Sequence, residues 1–228
     1  MIKNISNLGD SAVYCDFGSE VNEAINSNVI DYFDHLSKLL KEEKIKGITN
    51  LTPSYNKLIV SFDLNFTNYK EAKNLIENLI IKKIIKKNNK KIEIPVCCEK
   101  EYGLDFERLN TKLNIKEGKI LELFFNKEYF CYMTGFIAGM PFLGDLDQMM
   151  RAKRLETPRV KVPKGSVGLT EQFANIYTFE SPGGWNIIGN SPLNIFDSNK
   201  EKEPNLINPG DTIIFKKIGI NQYKKFNG

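Results

Sequence analysis

The stretch that decides the fold runs from Gly135 to Pro192: GFIAGMPFLGDLD at 135–147, RLETPRVKVPKGSVGL at 154–169 and ESPGGWNIIGNSP at 180–192. This quarter of the 228-residue chain holds eight of its 16 glycines, five of its nine prolines, three of its four arginines and its single tryptophan. Glycine and proline at that density punctuate regular structure, so the segment reads as short strands joined by shaped turns. The arginines sharpen the point. The chain carries 28 lysines against four arginines, so Arg151, Arg154 and Arg159 depart from its habit of supplying positive charge as lysine. A guanidinium presents a flat fork of donors that matches a carboxylate or phosphate bidentately, which an ammonium does not. Three of them within nine residues point to an anion or partner site, against the plainer reading of internal salt bridges and capped carbonyls.

Working outward, the residues beyond Tyr129 show no long helical period. The runs YFCYM, SVGLT, NIYTF, WNIIG, LNIF, DTIIFKK and QYKKF, separated by Gly, Pro, Asn and Asp, predict strands of a compact β-barrel or sandwich. This half begins near Lys91 with IEIPVCC, read as a strand ending at Pro95 or shortly after. Two helices follow, Leu104 to Lys112 and Ile115 to Phe125, the second introduced by the capping-box pattern Asn114-Ile-Lys-Glu117. Residues 1–90 alternate differently. Ile2 to Leu8, Ala12 to Phe17, Ile48 to Thr52 and Leu58 to Phe62 read as strands. Ile25, Val29, Phe33 or Tyr32, Leu36 and Leu40 mark the apolar face of a helix capped by Asn22, and a second helix is predicted from Tyr69 to Lys87. The lysine-rich run at 80–91 interleaves isoleucines at helical spacing and reads as a solvated helix face. The order β-β-α-β-β-α implies helices on one face of an antiparallel sheet. The fold class is therefore α+β in two domains, 1–90 and 91–228, the first a small α+β sandwich.

Composition restricts function more than it assigns one. With 41% hydrophobic and 26% charged residues, the chain is that of an ordinary globular protein. Its net charge of +4 is spread through lysines and not gathered in an arm, which argues against nucleic acid as a partner. No apolar run approaches the roughly 20 residues of a membrane span, and MIKNISNLGDS lacks a signal-peptide core, so a cytoplasmic location is expected. Cys15, Cys97, Cys98 and Cys131 suit a reducing compartment, and their spacing suits no zinc knuckle, so no metal site is expected. The one histidine, His35, falls beside the apolar face of its helix, which argues against a Ser-His-Asp or Cys-His hydrolase built from this chain alone. Chemistry would have to run on carboxylates, hydroxyls, lysine, backbone dipoles or residues lent by a partner protein.

LGDSAV near the start, IPVCCEKEYGLDFERL, GFIAGMPFLGDLD, PRVKVPKGSVGL, SPGGWNIIGNSPLNIFD and INPGDTIIF resemble, in that order and spacing and over essentially the whole chain, the allophanate hydrolase subunit 1 or kinase-A-inhibitor family. The resemblance implies a small ferredoxin-like N-terminal domain and a cyclophilin-like C-terminal β-barrel. Members include the B subunit of bacterial ATP-dependent 5-oxoprolinase, which works with a homologous C subunit and with an A subunit to open 5-oxoproline to glutamate. ATP, with magnesium, would enter at the level of the assembly, with no cofactor intrinsic to this chain. Another branch binds a sporulation sensor histidine kinase and blocks its autophosphorylation, and a third implied role is that of an allophanate hydrolase or urea amidolyase partner. The chain departs from the family pattern at Ala138, Met140, Phe142 and Asp145, keeps Arg154 and the Pro158-Arg159 pair, and replaces a usual Gln-Thr-Gly by Phe173-Ala174-Asn175, where Asn175 would suit a positive-φ glycine position. No catalytic residue stands out. The candidate substrate- or partner-binding residues are Arg154 and Arg159, then Gly135, Phe136, Gly139 and Pro141, then Ser181, Pro182, Gly183, Gly184 and Trp185. The glycine pair reads equally as a tight turn and Trp185 as barrel core.

Overall fold

The computed structural model describes residues 1–81 and 89–226 and divides the chain into two compact units, 1–88 and 89–228. The first contains β1 (Asn4–Asn7), β2 (Ala12–Asp16), α1 (Glu23–Lys41), β3 (Ile48–Pro53), β4 (Lys57–Phe62) and α2 (Tyr69–Glu77). Its antiparallel sheet has the order β1-β2-β4-β3. β2-α1-β3-β4-α2 thus makes the split β-α-β arrangement of ferredoxin-like folds, and β1 takes the edge beside β2. Strict alternation in β4 sends Leu58, Val60 and Phe62 inward against Val13, Cys15, Val29, Leu36, Ala72 and Ile76. Asn22 caps α1, its Oδ1 accepting from the Ile25 N–H at 2.9 Å. The buried Asn26 amide donates to the Ser54 and Tyr55 carbonyls, at 3.2 and 2.8 Å, and pins the helix to the β3–β4 turn. α2 stops at Glu77, with Asn78 as its C-cap, ten residues short of the predicted end. The rest of the lysine-rich run lies mostly at 82–88, outside the described residues.

The second unit runs β5 (Lys91–Cys97), α3 (Phe106–Leu113), α4 (Glu117–Phe125), β6 (Glu128–Thr134), β7 (Pro141–Gly144), a 3-10 turn (Gln148–Met150), β8 (Arg159–Val162), β9 (Ser166–Thr170), β10 (Phe173–Ile176), β11 (Ser181–Gly183), β12 (Asn186–Asn190), β13 (Thr212–Ile218) and α5 (Ile220–Lys225). Seven of these strands close a barrel in the order β10-β7-β6-β13-β5-β12-β9, with β8 and β11 paired as a separate ribbon. All barrel pairings are antiparallel except β13 with β5. Ile94, Val96, Cys131, Leu143, Val167, Leu169, Ala174, Ile188, Ile213 and Phe215 belong to its core, and Ile120 and Phe124 of α4 pack against it, Phe124 stacked on Phe215 at 4.6 Å. Pro95 sits inside β5 and does not end it. β12 reaches β5 only at Cys97, so the missing N–H falls where one flank carries no ladder.

Three expectations change. QYKKF is part of helix α5, not a strand, and LNIF contributes only an isolated bridge between Phe196 and Asn205. The capping box is not formed. Asn114 instead ends α3 in the left-handed region at φ 54°, and Lys116 holds the N-cap position of α4 without a side-chain hydrogen bond. Among the described residues no helix is long and apolar enough to cross a membrane.

Candidate functional site

The segment between β6 and β7 is bent back sharply. The Gly135 N–H donates to the Met140 carbonyl at 3.0 Å, Phe136 takes a positive φ of 70°, and Gly139 one of 69°. A side chain on Gly139 would meet the Phe196 ring at 2.4 Å, so glycine is needed there both for conformation and for space. Phe136 has no such licence. A non-glycine residue in the left-handed region is strained, and this one holds its ring 71% exposed. Pro141 is buried at the start of β7.

Across from this loop the end of β11 supplies Gly183 and the β11–β12 connection supplies Gly184 and Trp185. Together with Phe136, Met140, Phe142, Arg154 and Tyr177 they line a cavity of about 90 Å³. Its floor is aromatic. Trp185 is only 4% exposed and packs edge-on to Phe142 at 5.6 Å, while the Arg154 guanidinium lies over the indole, 5.7 Å from the ring centroid. Gly183 has to lack a Cβ, which would stand 2.1 Å from the Tyr177 hydroxyl. Burial pushes the Tyr177 phenol above its ordinary pKa, opposed by hydrogen bonds from Asn175 and from the Trp185 backbone, so it remains a proton donor at neutral pH. Asn175 is wholly buried in β10, its Oδ1 accepting from the Gly168 N–H at 3.1 Å. It is not among the positive-φ residues, contrary to the expectation for that position.

Arg159 is placed differently from Arg154. Its guanidinium donates to Asp105 Oδ1 at 2.6 Å, and the Ile187 N–H donates to Asp105 Oδ2 at 2.6 Å. Asp105 is 4% exposed, so Arg159 acts as an internal tie between β8, β12 and the start of α3, although its second terminal nitrogen is buried without a partner. Ser181 is half-buried with an unpaired hydroxyl oxygen, and Pro182 is exposed; neither lines the cavity.

Beside Arg154 lies a second hollow of about 320 Å³, lined by Arg108, Lys112, Leu113, Arg151, Ala152, Lys153, Arg154 and Glu156. Arg108 and Lys112 were not among the expected site residues. The scarcity of arginine, applied to the fourth one as well as to the other three, was the signal that could have found Arg108.

The chain matches, over residues 3–207, the family described as carboxyltransferase domain, subdomain C and D. It is 30% identical, over 97% of its length and 95% of the relative's, to the B subunit of the Bacillus subtilis 5-oxoprolinase. To the B subunit of the Haemophilus influenzae 5-oxoprolinase it is 32% identical, over 95% of its length and 99% of the relative's. Among solved structures, TTHA0988 aligns over 92% of this chain at 27% identity with a TM-score of 0.77, and the chain spans 40% of that longer one. The urea carboxylase of Kluyveromyces lactis shares the fold, with a TM-score of 0.75 at 16% identity over 97% of this chain and 22% of its own. The closed barrel, the aromatic cavity beneath Arg154 and the near full-length matches to the two B subunits converge: the chain belongs to the carboxyltransferase-domain family, subdomain C and D, and within it is akin to the 5-oxoprolinase B subunits.

Proposed function

We propose that the protein is the B subunit of an ATP-dependent 5-oxoprolinase of the cytoplasm, acting with the A and C subunits of that enzyme to convert 5-oxoproline, ATP and water to glutamate, ADP and phosphate. The observation that carries this reading is the match, over 95% and 99% of their lengths, to two proteins named as B subunits of 5-oxoprolinase. The cavity supports it. Its aromatic walls suit the apolar edge of a small ring, the Arg154 fork suits the carboxylate that such a ring carries, and the protonated Tyr177 suits a carbonyl or hydroxyl oxygen. No carboxylate or histidine lines it, so the base that activates water comes from one of the partner proteins. Among the described residues no cluster of three or more histidine, cysteine, aspartate or glutamate side chains is placed to hold a metal ion.

The test combines the protein with the A and C subunits and follows ATP-dependent glutamate release from 5-oxoproline. Arg154→Gln, which removes one charge-assisted pair worth about 1.5–3 kcal/mol, should lower kcat/KM by roughly 10- to 100-fold with assembly intact. If the three proteins fail to associate and the mixture releases no glutamate, while the pure protein slows autophosphorylation of a sensor histidine kinase, the chain is an inhibitor and the enzyme reading is wrong.

A further inference from the structure

Phe136 carries two costs at one position. Its φ of 70° puts a residue with a Cβ in the left-handed region, and its ring stands 71% exposed although Met140, Phe142, Tyr177 and Trp185, which line the same cavity, are buried. The bend itself does not require a phenylalanine. It is held by the Gly135 N–H on the Met140 carbonyl, by the Thr178 hydroxyl donating to the Ala138 carbonyl at 2.7 Å, and by Gly139 seated against the Phe196 ring. Glycine at 136 would adopt the same backbone without strain and expose no ring. The phenyl group is displayed on a rigid support instead of packed into the core.

The display extends beyond one residue. Phe179 follows Thr178, remains 41% exposed and leans on Phe196 at 5.7 Å, so it joins Phe136 in an apolar rim along the bend. Past Arg154 the surface turns basic. The neighbouring hollow sets Arg108, Lys112, Arg151, Lys153 and Arg154 against the one carboxylate of Glu156, and among the described residues none of the five is ion-paired, whereas Arg159 and Lys161 are neutralised by Asp105 and Glu180. A ligand that fits about 90 Å³ reaches only the inner edge of the Phe136 ring. Covering its outer face, Phe179 and the basic wall together takes another protein surface.

The cavity is also incomplete, because no carboxylate or histidine lines it. The protein that lends the base has to come close to this rim. We propose that Phe136 is the anchor on which that partner protein docks, through a surface that offers an apolar pocket to the ring and a border of carboxylates to Lys112, Arg151 and Lys153. A ring already fixed in its protruding position loses little freedom on being buried, so the strain stored at Phe136 is offset when the partner takes it up. This inference rests on the 5-oxoprolinase reading, in which the A or the C subunit supplies the base.

The test mixes the full-length protein with the A subunit, with the C subunit and with both, reads binding by calorimetry, and records the thermal midpoint of every variant. Binding to the wild-type chain is expected to weaken as ionic strength rises. Phe136→Gly should keep its thermal midpoint, because the substitution relieves the backbone, and should raise the dissociation constant about 30-fold or more. Phe136→Tyr, which keeps the ring, should bind within a fewfold of the wild type. Assembly of Phe136→Gly at wild-type affinity leaves the 5-oxoprolinase reading standing and overturns this one. A midpoint several degrees lower in Phe136→Gly makes the ring part of the fold and overturns it as well. So does a homodimer that only Phe136→Gly abolishes, since the rim then belongs to a second copy of the chain. Failure of the wild-type chain to bind either subunit or the pair removes both readings together.

Discussion

Asp105 shows how much one buried carboxylate can organise. Its two oxygens take the Arg159 guanidinium and the Ile187 N–H, and its own N–H returns to the Ile187 carbonyl at 3.0 Å, so the start of α3 is fastened to β12 and, through Arg159, to β8. Asparagine at this position keeps the shape but forfeits the charge. Because Arg159 retains 27% side-chain exposure, water recovers part of the loss, and Asp105→Asn should cost about 1–3 kcal/mol. The check is a lower urea midpoint at unchanged slope. The two expected arginine ligands therefore part company. Arg154 faces a cavity with no carboxylate of its own, and Arg159 is committed to one. Sequence alone could not separate them, because Asp105 lies 54 residues before Arg159 and only the fold brings the two together.

At the scale of elements, the backbone conformation of Asn114 offers a clean test. The pattern Asn114-Ile-Lys-Glu117 predicts that Asn114 starts α4, whereas the structure has it ending α3 with φ at 54°. A left-handed residue other than glycine is strained by roughly 1–2 kcal/mol unless its side chain helps. Asn114→Gly should therefore keep or slightly raise stability and Asn114→Ala should lower it by about 1 kcal/mol, as read from thermal midpoints. An N-cap would behave the opposite way for glycine, losing a few tenths. Elements with an unbroken period were legible in advance. β4 alternates perfectly, α1 repeats its apolar face over five turns and carries its own cap, and both stand almost where expected. What escaped were β7, β8 and β11. They lie in the Gly/Pro-rich stretch, hold only three or four residues each, and exist because remote strands supply ladder partners. The opposite error, taking QYKKF for a strand, came from an aromatic and lysine run too short to show its period. The cavity was half legible for the same reason: Met140, Phe142 and Tyr177 are ordinary core residues in sequence and become its walls only when four separate segments converge.

At the scale of the molecule, each unit has its own core and its own buried thiols. Burial pushes Cys15, in the first unit, and Cys98, in the second, up to about 12 from 9.0, and raises Cys131 and Tyr129 further still. Unfolded, the thiols release their protons from about pH 9 upward; folded, they hold them to about pH 12. Between those limits the folded state binds more protons than the unfolded one, so stability should fall steadily as pH rises through that window, with the thiol contribution unchanged below it. Urea midpoints taken at intervals from about pH 8 to 11 read this directly. A flat profile would mean that the thiols ionise alike in both states.

The parallel pairing of β13 with β5, in register from Lys91 with Thr212 to Cys97 with Ile218, joins the first strand of the barrel to its last. β13 also pairs with β6, so the final stave is set between two that were made more than 80 residues earlier. During synthesis the barrel therefore stays open until β13 has left the ribosome, exposing the two unladdered edges of β5 and β6 that this strand later fills. A premature stop a few residues upstream of Thr212 would not trim this protein but leave it permanently unzipped, with both edges available to another copy.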